Sequence, residues 1–469
     1  MVPTAEHYDV VIIGGGPGGY AAALYGASAG LRIALVEQGK VGGTCLHVGC
    51  IPAKELLETA AVHRTVAGAG EFGIDTSAPS VDLARSQVRK QKVIDQLHAG
   101  LSGLLKARKV TVVHGTGTLH ASRTVRVSGG ESGEAELTGD HVILASGSVP
   151  RTIPGFDVDG RLVMTSDEVL SIEQVPATAA VIGGGAIGCE FASMMADLGT
   201  KVTILEALPK ILPGCDDDIT KLVLRQFARR GIEVRTGVTV EGHDPHDGGT
   251  VVRLGDGGTL DVEAVVVSVG RRPRSEVLGL EGTAVQVSER GHVVVDERCR
   301  TAEPGVYAVG DLVATPALAH VGFAEGILAI RDLLGEEPLP IDYDRVPWCI
   351  YCHPEVAFTG LSEAAAREAG HDVVVSKHRF AGNGRALILG EPDGMVKVIA
   401  ERGPDGRAGR LLGVHMVGPW VTEQLGQAYL SVNWEATVDE VAPLIQPHPT
   451  LGELFGESVL ALTGRSLHG

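Results

Sequence analysis

The sequence predicts an α/β fold: two Rossmann-like dinucleotide-binding domains followed by a C-terminal α+β domain. Three observations predict it. The pattern strand, glycine turn, helix, strand, acid opens the chain between Tyr8 and Glu37. The same pattern returns between Ala179 and Glu206. Beyond residue 347, short helical and strand periodicities continue without a glycine fingerprint.

In the first unit, the apolar run Tyr8–Ile13 reads as a strand and leads into Gly14, Gly16 and Gly19. Gly14 permits the tight turn, Gly16 lets backbone approach a pyrophosphate, and Gly19 lets the helix lie close to the sheet. An Ala-rich helix, 20–29, and a strand, 32–36, follow. Glu37 stands where a carboxylate accepts hydrogen bonds from ribose hydroxyls. Residues 80–107 read as one long amphipathic helix with Val81, Val88, Leu97, Leu101, Leu104 and Leu105 on its apolar positions. The strand 141–145 closes on Ser146 and Gly147, an exit from the first domain.

The second unit carries Gly183, Gly185, Ile187 and Gly188, and Glu206 lies 23 residues after its first glycine, as Glu37 does after Gly14. Two fingerprints that each keep their glycines and acid imply two working nucleotide sites. The carboxylate of Glu206 suits a free 2′-hydroxyl and repels a 2′-phosphate, so NAD is expected over NADP. Residues 262–269 read as one returning strand, and Val306 to Asp311 as a strand closing on an acid. Asp311 can bind a sugar or ribityl hydroxyl, or cap the helical segment 318–334.

Between the units stands a second cluster: Gly42, Gly43, Thr44, Cys45, then Cys50 and Lys54. By themselves the two cysteines read equally as structural thiols. Seven cysteines in a long chain with no secretory leader do not form an extracellular disulfide framework, and a reducing cytoplasm is expected. The net charge of -18 argues against a nucleic-acid partner, and no apolar run spans a bilayer. In the last domain, His448 sits between Pro447 and Pro449, five residues before Glu453. It is either a structural histidine or a positioned imidazole with an orienting acid. Cys349 and Cys352 form a CxxC; on a strand, residues three apart face opposite ways, so two separate buried thiols are expected and no metal.

Taken together, these motifs resemble the FAD-dependent pyridine nucleotide–disulfide oxidoreductases from Tyr8 to about Leu467. The resemblance rests on Gly14–Gly19, Gly42–Lys54, Gly183–Gly188, Tyr307–Asp311 with Leu318, Ala319 and His320, and His448 to Glu453. Within the family, the text of Gly42–Pro52, Ile350–Ala357 and His448–Glu453 is most similar to the branch that oxidises protein-bound dihydrolipoamide with NAD. The resemblance implies a redox disulfide Cys45–Cys50, with Cys45 exchanging with substrate and Cys50 facing the flavin. It implies His448, oriented by Glu453, as the base, supplied by the second subunit of a homodimer. It pairs Lys54 with Glu190. It places Gly43, Thr44, Gly117, Ser146, Gly147, Asp311, Leu318, Ala319 and His320 near FAD, and Val238 and Gly270 near NAD. It divides the chain into an FAD domain (1–150), an NAD domain (151–278), a central domain completing the FAD site (279–346) and an interface domain (347–469). It makes a lipoylated acyltransferase or a glycine-cleavage H-type protein the macromolecular partner. Two other readings stand beside it: an NAD(P)H-dependent reductase of another small disulfide or a quinone, and a flavin-bearing docking subunit.

The chain departs from the family pattern at four places. His47 replaces the usual Asn in the redox loop, Ala53 a hydroxyl residue, Gln446 a frequent His, and Cys352 a Thr or Ser.

Overall fold

A computed structural model describes residues 6–130 and 133–468. The residues before Glu6, where the absence of a secretory leader was read, lie outside it.

The first unit is a parallel sheet in which Glu6–Ile13 lies between Ile33–Glu37 and Gly133–Leu144. The strand Gly133–Leu144 serves two layers. Its first half pairs with Thr124–Gly130 in an antiparallel meander, and its second half pairs in parallel with Val306–Ala308. Val10, Val11, Ile12, Val142, Ile143 and Leu144 are wholly buried, as expected of strands covered on both faces. Each such side chain contributes about 1.5–3 kcal/mol of burial. The helix Pro17–Ser28 covers one face and packs on Ala319–Leu333. Contact there is close: a Cβ at Gly326 would stand 2.3 Å from the carbonyl oxygen of Gly18.

The second unit repeats this plan. Its parallel sheet runs Glu233–Thr236, Lys201–Glu206, Thr178–Ile182, Ala264–Val267, Val163–Met164, and a three-stranded antiparallel meander flanks it. The single strand expected over 262–269 is two strands. Thr259–Val262 belongs to the meander and Ala264–Val267 to the parallel sheet. The chain changes sheets at Glu263, whose N–H donates to Thr178. A short antiparallel pair, Ser148–Pro150 with Arg271–Pro273, joins the two units.

The C-terminal part is a five-stranded antiparallel sheet covered by the helices Val421–Asn433 and Glu453–Ala461. It is tied to the second unit through Lys397, which is 2% exposed. Its Nζ lies 2.8 Å from Asp216, 2.7 Å from Asp218 and 2.8 Å from Glu363.

The long helix expected over 80–107 spans Leu83–Ala107, with Asp82 capping it by accepting the Arg85 N–H at 3.1 Å. Only part of its apolar set faces the core. Leu83, Ile94 and Leu105 are buried, whereas Val88, Leu97 and Leu104 are exposed, because the helix touches the body along a narrow stripe. Among the described residues, no helix is long and apolar enough to cross a membrane.

Candidate active site

Both glycine turns have the geometry their sequences predict. Gly14 and Gly183 each adopt φ +107°, open to glycine and strained for other residues. A Cβ on Gly19 would lie 1.9 Å from the Gly14 oxygen, and one on Gly188 2.0 Å from the Gly183 oxygen, so each helix rests against its strand. Beside Gly16 and Gly185, by contrast, a Cβ would meet nothing within 4 Å. These two residues cap the helices that follow, and neither cap is closed by a side chain. The free N–H groups at both helix starts therefore fit pyrophosphates, and the chain's own residues suit two dinucleotides.

The two acids repeat each other as well. Glu37 accepts the N–H of Gly15 at 2.6 Å and of Gly39 at 2.7 Å. Glu206 accepts the N–H of Gly184 at 2.6 Å and of Leu208 at 2.7 Å. Each acid thus clamps its glycine turn, and each oxygen keeps a further lone pair for a ribose hydroxyl.

One cavity of about 970 Å³ runs between the units. From the first unit, Gly14, Gly16, Glu37, Gly117, Ser146 and Gly147 line it, followed by Gly43, Thr44, Cys45, Cys50 and Lys54 of the redox segment. Gly185, Ile187, Glu190 and Gly270 reach it from the second unit, and Asp311, Leu318 and Ala319 close it from the segment after the second sheet. Gly19, Gly183, Gly188 and Glu206 stand behind this wall as supports. Two expected neighbours are not on it. His320 is exposed, and its Nε2 is engaged with the Pro347 carbonyl at 2.8 Å. Val238 packs into the core around Phe156 and Leu205, with its N–H on the Glu206 carbonyl at 3.0 Å.

The redox segment folds as a short helix, Gly43–His47, and a longer one, Cys50–Ala67. Cys50 is the first residue of the longer helix, where the helix dipole favours a thiolate. Both cysteines are thiols here. The spacing that allows a bridge also lets one thiol donate to the other. The hydrogen bond from Cys45 lowers Cys50 to about 7, with Lys54 adding to the effect. The same bond, with burial, raises Cys45. In a reduced pair these shifts favour the negative charge on Cys50 over Cys45.

Lys54 reaches Glu190 with Nζ 3.0 Å from Oε1 and 2.8 Å from Oε2. Burial alone would lower the Lys54 ammonium, but Glu190 and then Cys50 leave it raised. Asp311 accepts the Ser148 hydroxyl at 2.5 Å, and the Arg271 guanidinium lies 3.6 Å away.

His448 lies outside this cavity's wall. Its side chain is 74% exposed, and its Nδ1 is 2.9 Å from Glu453 Oε2. Asn383 donates to the other oxygen of Glu453 at 3.1 Å and to the Thr450 carbonyl at 2.9 Å, so the orienting acid is itself held.

His47 does not turn to solvent: its Nε2 is 2.9 Å from the Val41 carbonyl, and its ring meets His98 edge-on at 5.3 Å. Ala53 is buried. Cys349 and Cys352 are separate thiols, as expected, but only Cys352 is buried. Cys349 is half-buried and lines the cavity.

Three supports escaped sequence reading. Asn383 is one. Glu325 is fully buried and accepts the Gly310 N–H at 2.6 Å, the Thr315 hydroxyl at 2.7 Å and the Tyr343 hydroxyl at 2.9 Å, shaping the turn that presents Asp311. An acid amid the apolar stretch of the helix Ala319–Leu333 is its one signal. Tyr351 is the third: its N–H donates to Glu190 Oε1 at 2.9 Å.

Comparison with known proteins agrees with this geometry. Residues 8–326 match the family described as pyridine nucleotide-disulphide oxidoreductase, and residues 346–459 match the dimerisation domain of that family. A dihydrolipoyl dehydrogenase of Bacillus subtilis is 43% identical, over 99% of this chain and all of the relative. One from Thermus scotoductus is 39% identical, over 98% of each chain. Among solved structures, LpdA from Mycobacterium tuberculosis superposes with a TM-score of 0.91 at 25% identity, over 98% of this chain and all of that one. The HOCl-induced flavoprotein disulfide reductase RclA from Escherichia coli gives 0.86 at 28%, over 97% and 99%. The dimerisation domain supports a homodimer. The chain therefore belongs to the pyridine nucleotide-disulphide oxidoreductase family.

Proposed function

We propose that this chain oxidises protein-bound dihydrolipoamide to lipoamide with NAD⁺, as a dihydrolipoyl dehydrogenase. One observation carries the reading: the thiol pair Cys45 and Cys50 faces a cavity lined by both dinucleotide turns. Relatives bearing that name match the chain over nearly its whole length.

In the oxidised enzyme, His448 takes a proton from one substrate thiol, because the thiolate is the nucleophile. That thiolate attacks Cys45 Sγ, and the Cys45–Cys50 bond breaks with its electron pair left on Cys50. The second substrate thiol then closes the lipoyl ring and releases Cys45; His448 passes the first proton to the departing Cys45 and takes up the proton of the second thiol, so the two protons end on Cys45 and His448. Two electrons now reside on the Cys45–Cys50 pair. FAD, when bound, supplies the two-electron passage from that dithiol to NAD⁺. Lys54 holds the Cys50 thiolate, Glu190 holds Lys54, and Asp311 faces the ribityl chain.

His448 is supplied by the second copy of the chain; its exposure and its absence from its own chain's cavity wall support this. The partner is a lipoylated acyltransferase or a glycine-cleavage H-type protein, and the setting is the cytoplasm. The division at residues 278 and 346 is supported by a change of sheet across each, since Val306–Ala308 returns to the first unit's sheet and Trp348–Ile350 opens the C-terminal one, while the pair Ser148–Pro150 with Arg271–Pro273 bridges the boundary at 150.

The likeness to a disulfide reductase favours one alternative, an NAD(P)H-driven reductase of another small disulfide or a quinone. A single comparison separates them. The FAD-loaded protein is given dihydrolipoamide with NAD⁺, and separately NADPH with other disulfides and quinones. Brisk NAD⁺ reduction in the first mixture is expected. Silence there, with rapid NADPH oxidation in the second, would establish the alternative.

A further inference from the structure

The Lys54–Glu190 pair does not stand on two domains alone. The strand Trp348–Ile350 of the C-terminal sheet ends beside it, and the next residue, Tyr351, touches both members. The Tyr351 N–H donates to Glu190 Oε1 at 2.9 Å. The Lys54 ammonium lies 5.0 Å from the centre of the Tyr351 ring, within the range of a cation–π contact. Glu190 is 5% exposed, so its buried oxygens call for donors of this kind. Trp348 and Cys349, just before Tyr351, line the redox cavity. The C-terminal domain therefore reaches the redox pair within one chain.

We infer that Tyr351 is a positioning residue for the redox pair: its ring and its amide hold the Lys54–Glu190 ion pair so that the ammonium serves Cys50. This deepens the proposed function and rests on its assignment of Cys50 as the ionised thiol. It gives the antiparallel domain a second duty besides joining two chains. The side chain acts on Lys54 through its π-face, so the hydroxyl is dispensable and the aromatic ring is not.

The experiment reads the charge on Cys50 and needs no lipoyl substrate. Holoenzyme carrying Cys45→Ser is alkylated with iodoacetamide across a pH series, and the Cys50 peptide is quantified by mass spectrometry. Tyr351→Phe is expected to keep the parent midpoint. Tyr351→Leu is expected to move it up by about half a pH unit, the size of a modest cation–π contact. In a Lys54→Met background the Leu substitution should have no further effect. Equal shifts for Phe and Leu, no shift for Leu, or a shift that persists without Lys54 would each overturn the inference. If the Leu variant does not fold, phenylalanines bearing successive fluorines at position 351 weaken the ring's negative face at near-constant size. The midpoint should climb with fluorine number, and a flat series overturns the inference. Failure of dihydrolipoamide turnover in the parent enzyme would instead count against the proposed function and leave this titration readable.

Discussion

Lys54 Nζ lies 2.8 Å from Glu190 Oε2, and this contact joins the helix that begins at Cys50 to the helix that follows the second glycine turn. The charge that steadies the Cys50 thiolate is thus set by the relative placement of the two nucleotide units. Lys54→Met should raise the pH midpoint of Cys50 alkylation above its value of about 7. It should also lower stability by about 1–3 kcal/mol, because the buried Glu190 loses its main donor. Thiol titration and urea unfolding measure the two effects separately.

The pH dependence follows from the same pair. Cys50 is held below an ordinary thiol, so its thiolate predominates above about pH 7 and is lost as pH falls through that value. Cys45 is shifted the other way and stays protonated over this range. Alkylation at Cys50 should therefore rise through a midpoint near 7 and level off in the mildly alkaline range. A midpoint near the ordinary 9.0 would show that the Cys45 hydrogen bond and Lys54 do not act on it.

Cys45→Ser should retain both cofactors and lose dihydrolipoamide turnover, since the exchange thiol is gone. Flavin absorbance after gel filtration checks retention, and steady-state assay checks the loss. Turnover near the parent rate would place the exchange chemistry elsewhere.

His448→Gln should slow the dithiol half-reaction by about 10²–10⁴-fold, the range for loss of a general base. Reduction of the enzyme by NADH should be nearly unchanged. Glu453→Gln should cause a smaller loss in the same half-reaction, because Asn383 still holds the side chain at 453. Stopped-flow measurement of each half-reaction decides this; equal damage to both halves would make His448 structural.

Lys397→Met should cost about 3–5 kcal/mol, because three carboxylates would share a buried site without their cation. Burial alone would lower the Lys397 ammonium, and the three carboxylates raise it. Lys377 and Lys397 hold Asp218 down to about 2, below its ordinary 3.8. The stability this carboxylate contributes is full above 3.8 and is lost as pH falls through about 2. Urea midpoints in a descending pH series, parent against variant, measure both effects.

Much of this architecture was legible because the two nucleotide units obey local rules. A glycine needed for φ +107°, or for a 1.9 Å approach, leaves its mark at one position. So does an acid that closes each turn. The pair Lys54–Glu190 became legible only through family resemblance, since its members lie 136 residues apart. Tyr351, Glu325 and Asn383 act through contacts between remote segments, and no period or spacing announces them. The exposure of Val88 and Leu104 was hidden for a related reason: helical periodicity identifies a stripe but not whether the same chain covers it. His320 differs again: its ring is taken up by the Pro347 carbonyl, a contact that no sequence pattern marks.

If His448 completes the centre of a second chain, as proposed above, its place has a genetic consequence. Two defective alleles can rescue one another. A chain lacking Cys45 still offers an intact imidazole, and a chain lacking His448 still offers an intact thiol pair. Each is dead when paired with itself, yet a mixed pair assembles one complete centre. Co-expression of the two alleles should restore growth where neither alone does, an intragenic complementation that follows from sharing each centre between two chains.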